Sequence, residues 1–191
     1  MTNNNNKLFR SKQVSLVGNA RILDPVIREL SSELGMLIAK NGYSLVCGGL
    51  GGVMEAACRG FKQCAETSGV TVGILPSFDA AQANEYIDIV IPTGLDVGRN
   101  QLVVASGFAT IVIGGGAGTL SEVALASQIN KPVILLKGSG GWADKITDDY
   151  LDQRENARVY HAHSVSEVIT LLKVLETHTD KSGVIGSGHN R

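Results

Sequence analysis

The stretch IGGGAGTLSE, residues 113–122, decides how the chain is read. Gly114, Gly115 and Gly116 are consecutive, Gly118 follows, and then come Thr119, Ser121 and Glu122. An apolar β-branched run, ATIVI, leads into it, and VALAS, which has helical character, leads out. This is a passage from strand to helix through unusually flexible backbone. Glycine lets the main chain approach a ligand closely and adopt positive φ. The helix start beyond it offers N–H groups without intrahelical partners and a partial positive charge. Together they make a seat for phosphate or another anion. Glu122 lies one turn into the helix. The dipole favours an acid there by roughly 0.3–1 kcal/mol, which alone could explain it.

A second segment has the same form. CGGLGGVME, residues 47–55, leaves the apolar run YSLVC and enters a helical pattern. Tight turns with close strand–helix packing explain one such loop as well as a ligand does. Two at one edge of a sheet favour a common anion site, with Gly48, Gly49, Gly51, Gly52, Gly115, Gly116 and Gly118 as its backbone. The usual nucleotide fingerprints are missing. No G-x-x-x-x-G-K-[ST] segment occurs. Gly49-x-Gly51 is followed by Met54 where the dinucleotide pattern has a third glycine, and no acid closes the second strand. An NAD-type dehydrogenase is disfavoured.

The rest of the chain alternates in the same way. Short apolar strands are expected at 13–18, 43–47, 70–76, 87–92, 108–114, 132–137 and 157–162. Helices are expected between them. The first is opened by Asp24-Pro25 and stopped by Asn41-Gly42, and others cover 53–68, 97–107 and 118–130. A closing helix over 164–178 has Ser164 as cap and Glu167 three residues on. Residues 77–86 and 138–142 read as loops. Almost wholly apolar strands alternating with helices mark a parallel sheet covered on both faces. We therefore expect an α/β fold: one doubly wound, Rossmann-like parallel sheet with helices on both faces, spanning 13–178 between flexible tails at 1–12 and 179–191.

Composition sets limits on function. The 191 residues suit one domain, and 43 % hydrophobic against 18 % charged residues give it a core. Twenty-three residues are glycine, well above the usual ~7 %. A net charge of −1 points to neither nucleic acid nor a membrane surface as partner. Cys47, Cys58 and Cys64 have no CxxC spacing and read as plain thiols rather than disulfides or zinc ligands. The start, MTNNNNKLFRSK, has no apolar signal segment, and no run reaches the ~18 apolar residues of a membrane span. A cytoplasmic protein is expected.

GGLGGVME, GRN at 98–100 and GGGAGTLSE together resemble the LONELY GUY (lysine-decarboxylase-like) superfamily. Its mark is P-G-G-x-G-T-x-x-E, which Gly115, Gly116, Gly118, Thr119 and Glu122 match, with Gly114 in the proline's place. The superfamily's enzymes carry an Arg-Lys pair fifteen residues before that proline. Here Arg99 matches and Asn100 does not, and the early glycine loop is one residue shorter. GILP at 73–76 and GRN are similar to the branch that holds molybdenum-cofactor carrier proteins. The resemblance runs from about residue 14 to 137.

It implies a carrier that holds the molybdenum cofactor, a phosphate-bearing pterin, through the two loops, Arg99, Asn100, Thr119 and Glu122. Molybdoenzymes or insertion proteins would receive the cargo, and the carrier would be a homo-oligomer. The alternative it implies is a nucleoside 5′-monophosphate phosphoribohydrolase cleaving an N-glycosidic bond, with Glu122 and Arg99 catalytic. A nucleotide-sensing interaction module is a third reading. No catalytic metal is expected: His161 and His163 share a strand face but make no complete ligand set. Asn84 is a candidate ligand contact and Glu55 a candidate second carboxylate. Asp96 reads as a helix cap and Trp142 as a packing lid. Ser121 lacks partners for nucleophilic work.

Overall fold

The computed structural model describes residues 12–22 and 24–181. Seven strands form one parallel sheet: β1 (Gln13–Gly18), β2 (Ser44–Cys47), β3 (Thr71–Leu75), β4 (Ile89–Pro92), β5 (Thr110–Ile113), β6 (Val133–Leu136) and β7 (Val159–Ala162). Their spatial order is β4-β3-β2-β1-β5-β6-β7. The chain winds outward from β1 to β4, then returns to the other side of β1 and winds outward again. The exits of β1 and β5 therefore lie side by side where the winding reverses, the place where open α/β sheets hold ligands.

Alternate residues on each strand serve the two faces. Leu16, Leu45 and Ile111 pack with α1 (Pro25–Lys40), α2 (Val53–Lys62) and α6 (Val165–Lys181). Val17, Val46 and Val112 pack with α3 (Asn100–Ser106), α4 (Ala117–Gln128) and α5 (Gly141–Lys145). The expected doubly wound sheet, covered on both faces, is the fold observed. Helix α1 starts as the sequence indicates: Asp24 Oδ1 accepts from Val26 N at 2.8 Å, with Pro25 in the first turn. Glu167 N donates to Ser164 Oγ at 3.2 Å, and Glu167 Oε2 accepts from His163 N at 2.8 Å. Helices α1 and α2 touch through their backbones. A Cβ on Gly60 would stand 1.8 Å from Ser32 O.

Three elements differ from expectation. Helix α2 ends at Lys62 rather than 68, because the next residues turn back to the sheet edge. Thr67 Oγ1 donates to Ala39 O there, and Leu45 N donates to Val70 O. The helix expected from 97 begins as a 3-10 turn over Asp96–Arg99 and becomes α-helical only at Asn100. Asp96, expected as a cap, sits inside that turn at φ 48, and Leu95 and Arg99 hold the two cap positions. The loop at 138–142 runs into the short α5. Most of the two expected tails lies outside the described residues; α6 continues to Lys181.

Candidate functional site

A cavity of about 280 Å³ opens at the winding reversal. The exits of β1, β2 and β5 and the start of α3 wall it. On the β5 side, Gly116 and Gly118 line it, and a Cβ on either would meet nothing within 4 Å. Leu120 N donates to Gly116 O, which closes the first turn of α4. The N–H groups of Gly116, Ala117, Gly118 and Thr119 are left without a protein partner among the described residues. Those donors, on a twelve-residue helix, carry its positive end into the cavity.

Arg99 and Glu122 face each other across this space. Arg99 Nη1 lies 3.4 Å from Glu122 Oε1, and the side chains are only 12 % and 8 % exposed. Burial pushes the Glu122 carboxyl up to about 7, and the guanidinium offsets part of that rise. Arg99 Nε is buried without a partner among the described residues. Gly48 explains how the guanidinium fits: a Cβ there would stand 2.5 Å from Nη2 and 2.6 Å from Nη1. The first glycine loop and Arg99 are thus one packing unit.

The structure divides the predicted residues. Gly48, Arg99, Asn100, Gly116, Gly118, Thr119 and Glu122 all line the cavity. Asn100 is buried, and its Nδ2 donates to Ser121 Oγ at 3.2 Å. Gly49, Gly51, Gly52 and Gly115 do not line it. Gly49 sits at φ 73 against Leu75, and its N–H donates to Cys47 Sγ at 3.4 Å. Gly52, at φ 69, lies against Asn19 O, and Gly115 N donates to Asn19 Oδ1 at 2.5 Å. These glycines shape the bends. Asn84 holds the first loop instead of facing the cavity, donating through Nδ2 to Gly49 O and Leu50 O.

Other candidates lie apart from the cavity. Glu55 and Trp142 do not line it. The Trp142 ring has Lys145 Nζ 5.1 Å from its centroid, and its main-chain N–H donates to Gly115 O. His161 Nε2 is 3.5 Å from Asp149 Oδ1. No group of three metal-ligating side chains stands together among the described residues. The cysteines are free thiols, with Cys47 Sγ and Cys58 Sγ 3.8 Å apart in the core.

Sequence reasoning missed Asn19. It lines the cavity from the exit of β1 and joins both glycine loops: its main-chain O accepts from Val53 N and its Oδ1 from Gly115 N. The signal was present, since Gly18-Asn19 ends the central strand in the position the later loops occupy on theirs.

The fold and this cavity define a Rossmann-like protein with a cavity at its winding reversal, walled by a helix N-terminus, an arginine and a carboxylate. The chain belongs to the SLOG cluster4 family, whose profile matches residues 11–169. Among solved structures it is similar to the molybdenum cofactor binding protein of the phototrophic bacterium Rippkaea orientalis. That match has a TM-score of 0.76 and 36 % identity, covering 88 % of this chain and 99 % of that one. The molybdenum cofactor carrier protein of Chlamydomonas reinhardtii matches with a TM-score of 0.74 and 32 % identity, over 87 % of this chain and 99 % of that one. The cytokinin riboside 5′-monophosphate phosphoribohydrolase of Mycobacterium tuberculosis is 35 % identical over 102 residues, half of this chain and 51 % of that protein. The resemblance read from the two loops therefore holds, and it includes both the carrier and the hydrolase branches. No helix among the described residues is long and apolar enough to cross a membrane.

Proposed function

We propose that the chain binds and carries a phosphate-bearing small molecule, and that this molecule is the molybdenum cofactor. One observation carries the reading. The unpaired N–H groups of the first turn of α4 open onto the same cavity as Arg99, beside glycines whose missing side chains leave the approach clear. Amides and a guanidinium fork hold a phosphate without reacting with it. The similarity to carrier proteins over most of the chain supports the choice of cargo. Asn100 supports holding over cutting. It is a neutral amide already engaged with Ser121, where the hydrolases that the motif resembles carry a lysine.

The carrier works in the cytoplasm as a homo-oligomer and delivers to molybdoenzymes or insertion proteins. Phe78, Leu95 and Val97, exposed at 82, 53 and 75 %, support a second copy packing near the site. Native mass spectrometry of anaerobically handled protein with isolated cofactor tests the reading. One cofactor per subunit is expected, with Arg99→Ala weakening it about ten- to hundredfold, as for a hydrogen bond to a charged group. No association at all would overturn it.

A second reading rests on the Arg99–Glu122 pair. A buried carboxyl with a pKa of about 7, next to an arginine and a phosphate seat, suits proton transfer at neutral pH. In a nucleoside 5′-monophosphate, water would add to the ribose C1′ as the C1′–N bond breaks, and the base nitrogen would take a proton. Release of free base from adenosine or cytokinin riboside monophosphate, abolished in Glu122→Ala, would establish it. Turnover at the blank rate would dismiss it for those substrates.

A further inference from the structure

Gly114 stands where the motif resembled by its loop carries proline, and the surroundings leave no room for one. Its φ is +62, far from the value a proline ring imposes. Its N–H, which proline lacks, donates to Ser139 Oγ at 2.8 Å. A Cβ would stand 2.4 Å from Asn19 Oδ1. The Asn19 amide fills the space that a side chain at 114 would occupy.

That amide has a fixed orientation. Oδ1 accepts from Gly115 N at 2.5 Å, and only the oxygen end can face an N–H donor. The main chain of Asn19 is held as well, through Val53 N to Asn19 O at 2.9 Å. Nδ2 is therefore turned away from the loop. It has no partner among the described residues, and Asn19 lines the cavity.

We propose that Asn19 is an anion-binding residue, its Nδ2 donating to the phosphate held by the α4 amides and Arg99 while its Oδ1 positions Gly115. This rests on the anion-seat reading above and adds a side-chain donor to it. The exchange of proline for glycine at 114 is then part of the site, since it admits the amide.

Two variants separate contact from positioning. Asn19→Asp keeps an oxygen for Gly115 N–H but replaces the donor with a negative charge. Asn19→Ala removes both. Inorganic phosphate is titrated into the full chain by calorimetry at pH 8, with thermal unfolding run in parallel. We expect Asn19→Asp to keep its unfolding midpoint and lose about ten- to hundredfold in affinity, and Asn19→Ala to lose less. Asn19→Asp binding as tightly as the unaltered chain, or Asn19→Ala proving the worse of the two, would overturn the proposal while leaving the anion seat standing. Absence of phosphate binding by the unaltered chain would overturn the function reading and this proposal together.

Discussion

Glu122→Gln should flatten the dependence of stability on pH. The carboxyl of Glu122 is raised from 4.5 to about 7 by burial, with Arg99 offsetting part of the rise. The folded state therefore binds this proton more tightly than the unfolded chain does. Stability from the group is fully present below pH 4.5 and is lost as pH rises through 7. A shift of that size corresponds to about 3 kcal/mol. Glutamine does not ionise, so its ΔG of unfolding should lack this fall. Urea unfolding of both proteins between pH 4.5 and 8.5 reads the difference directly. We expect the unaltered chain to lose up to about 3 kcal/mol relative to Glu122→Gln across that window. In the variant Arg99 loses its counter-ion, which reduces the gain at high pH. Side-chain carboxyl NMR gives an independent reading, with a Glu122 titration midpoint near 7. Parallel stability profiles, or a midpoint in the ordinary carboxylate range, would refute the burial argument.

Two glycines give opposite effects on stability. Gly118→Ala should raise stability by about 0.5–1 kcal/mol, since it lies in α4 with open space at its Cβ, yet weaken phosphate-ligand binding by narrowing the approach to the amides. Unfolding and calorimetry on one preparation check both. Gly48→Ala should lower stability by roughly 1–3 kcal/mol and weaken binding too, because the new Cβ would displace the Arg99 guanidinium. Normal affinity in that variant would separate Arg99 from the site.

The sheet and its winding were legible because nearly every strand is an apolar run with a turn residue at its end. The Asp24-Pro25 start and the Ser164…Glu167 start of the helices were legible because capping is local chemistry. The end of α2 was not, since the return at Thr67 to Ala39 O is a long-range contact. The site was legible in type more than in detail. Arg99, Glu122 and, from the second loop, Gly116 and Gly118, picked out by the resemblance and the glycine run, line one cavity. The first loop looked like a second cradle, but Gly49 and Gly52 are taken up by Cys47, Leu75 and Asn19. Only Gly48 among its predicted glycines lines the cavity, and the guanidinium lies against it. A glycine that serves a ligand and one that serves a neighbouring side chain look alike in sequence. Asn19 escaped notice because its only signal was its place: Gly18-Asn19 follows the central strand as the glycine loops follow theirs, but without their run of glycines.

The central claim is that the first-turn amides of α4 and Arg99 grip one anionic guest. Amide NMR of the uniformly 15N-labelled chain, titrated with isolated cofactor under anaerobic conditions, tests it most directly. The account predicts that the N–H signals of Gly116, Ala117, Gly118 and Thr119 and the Arg99 Nε–H signal shift together along one saturating curve. Unmoved signals at these positions, or saturation confined to another part of the sheet, would contradict it.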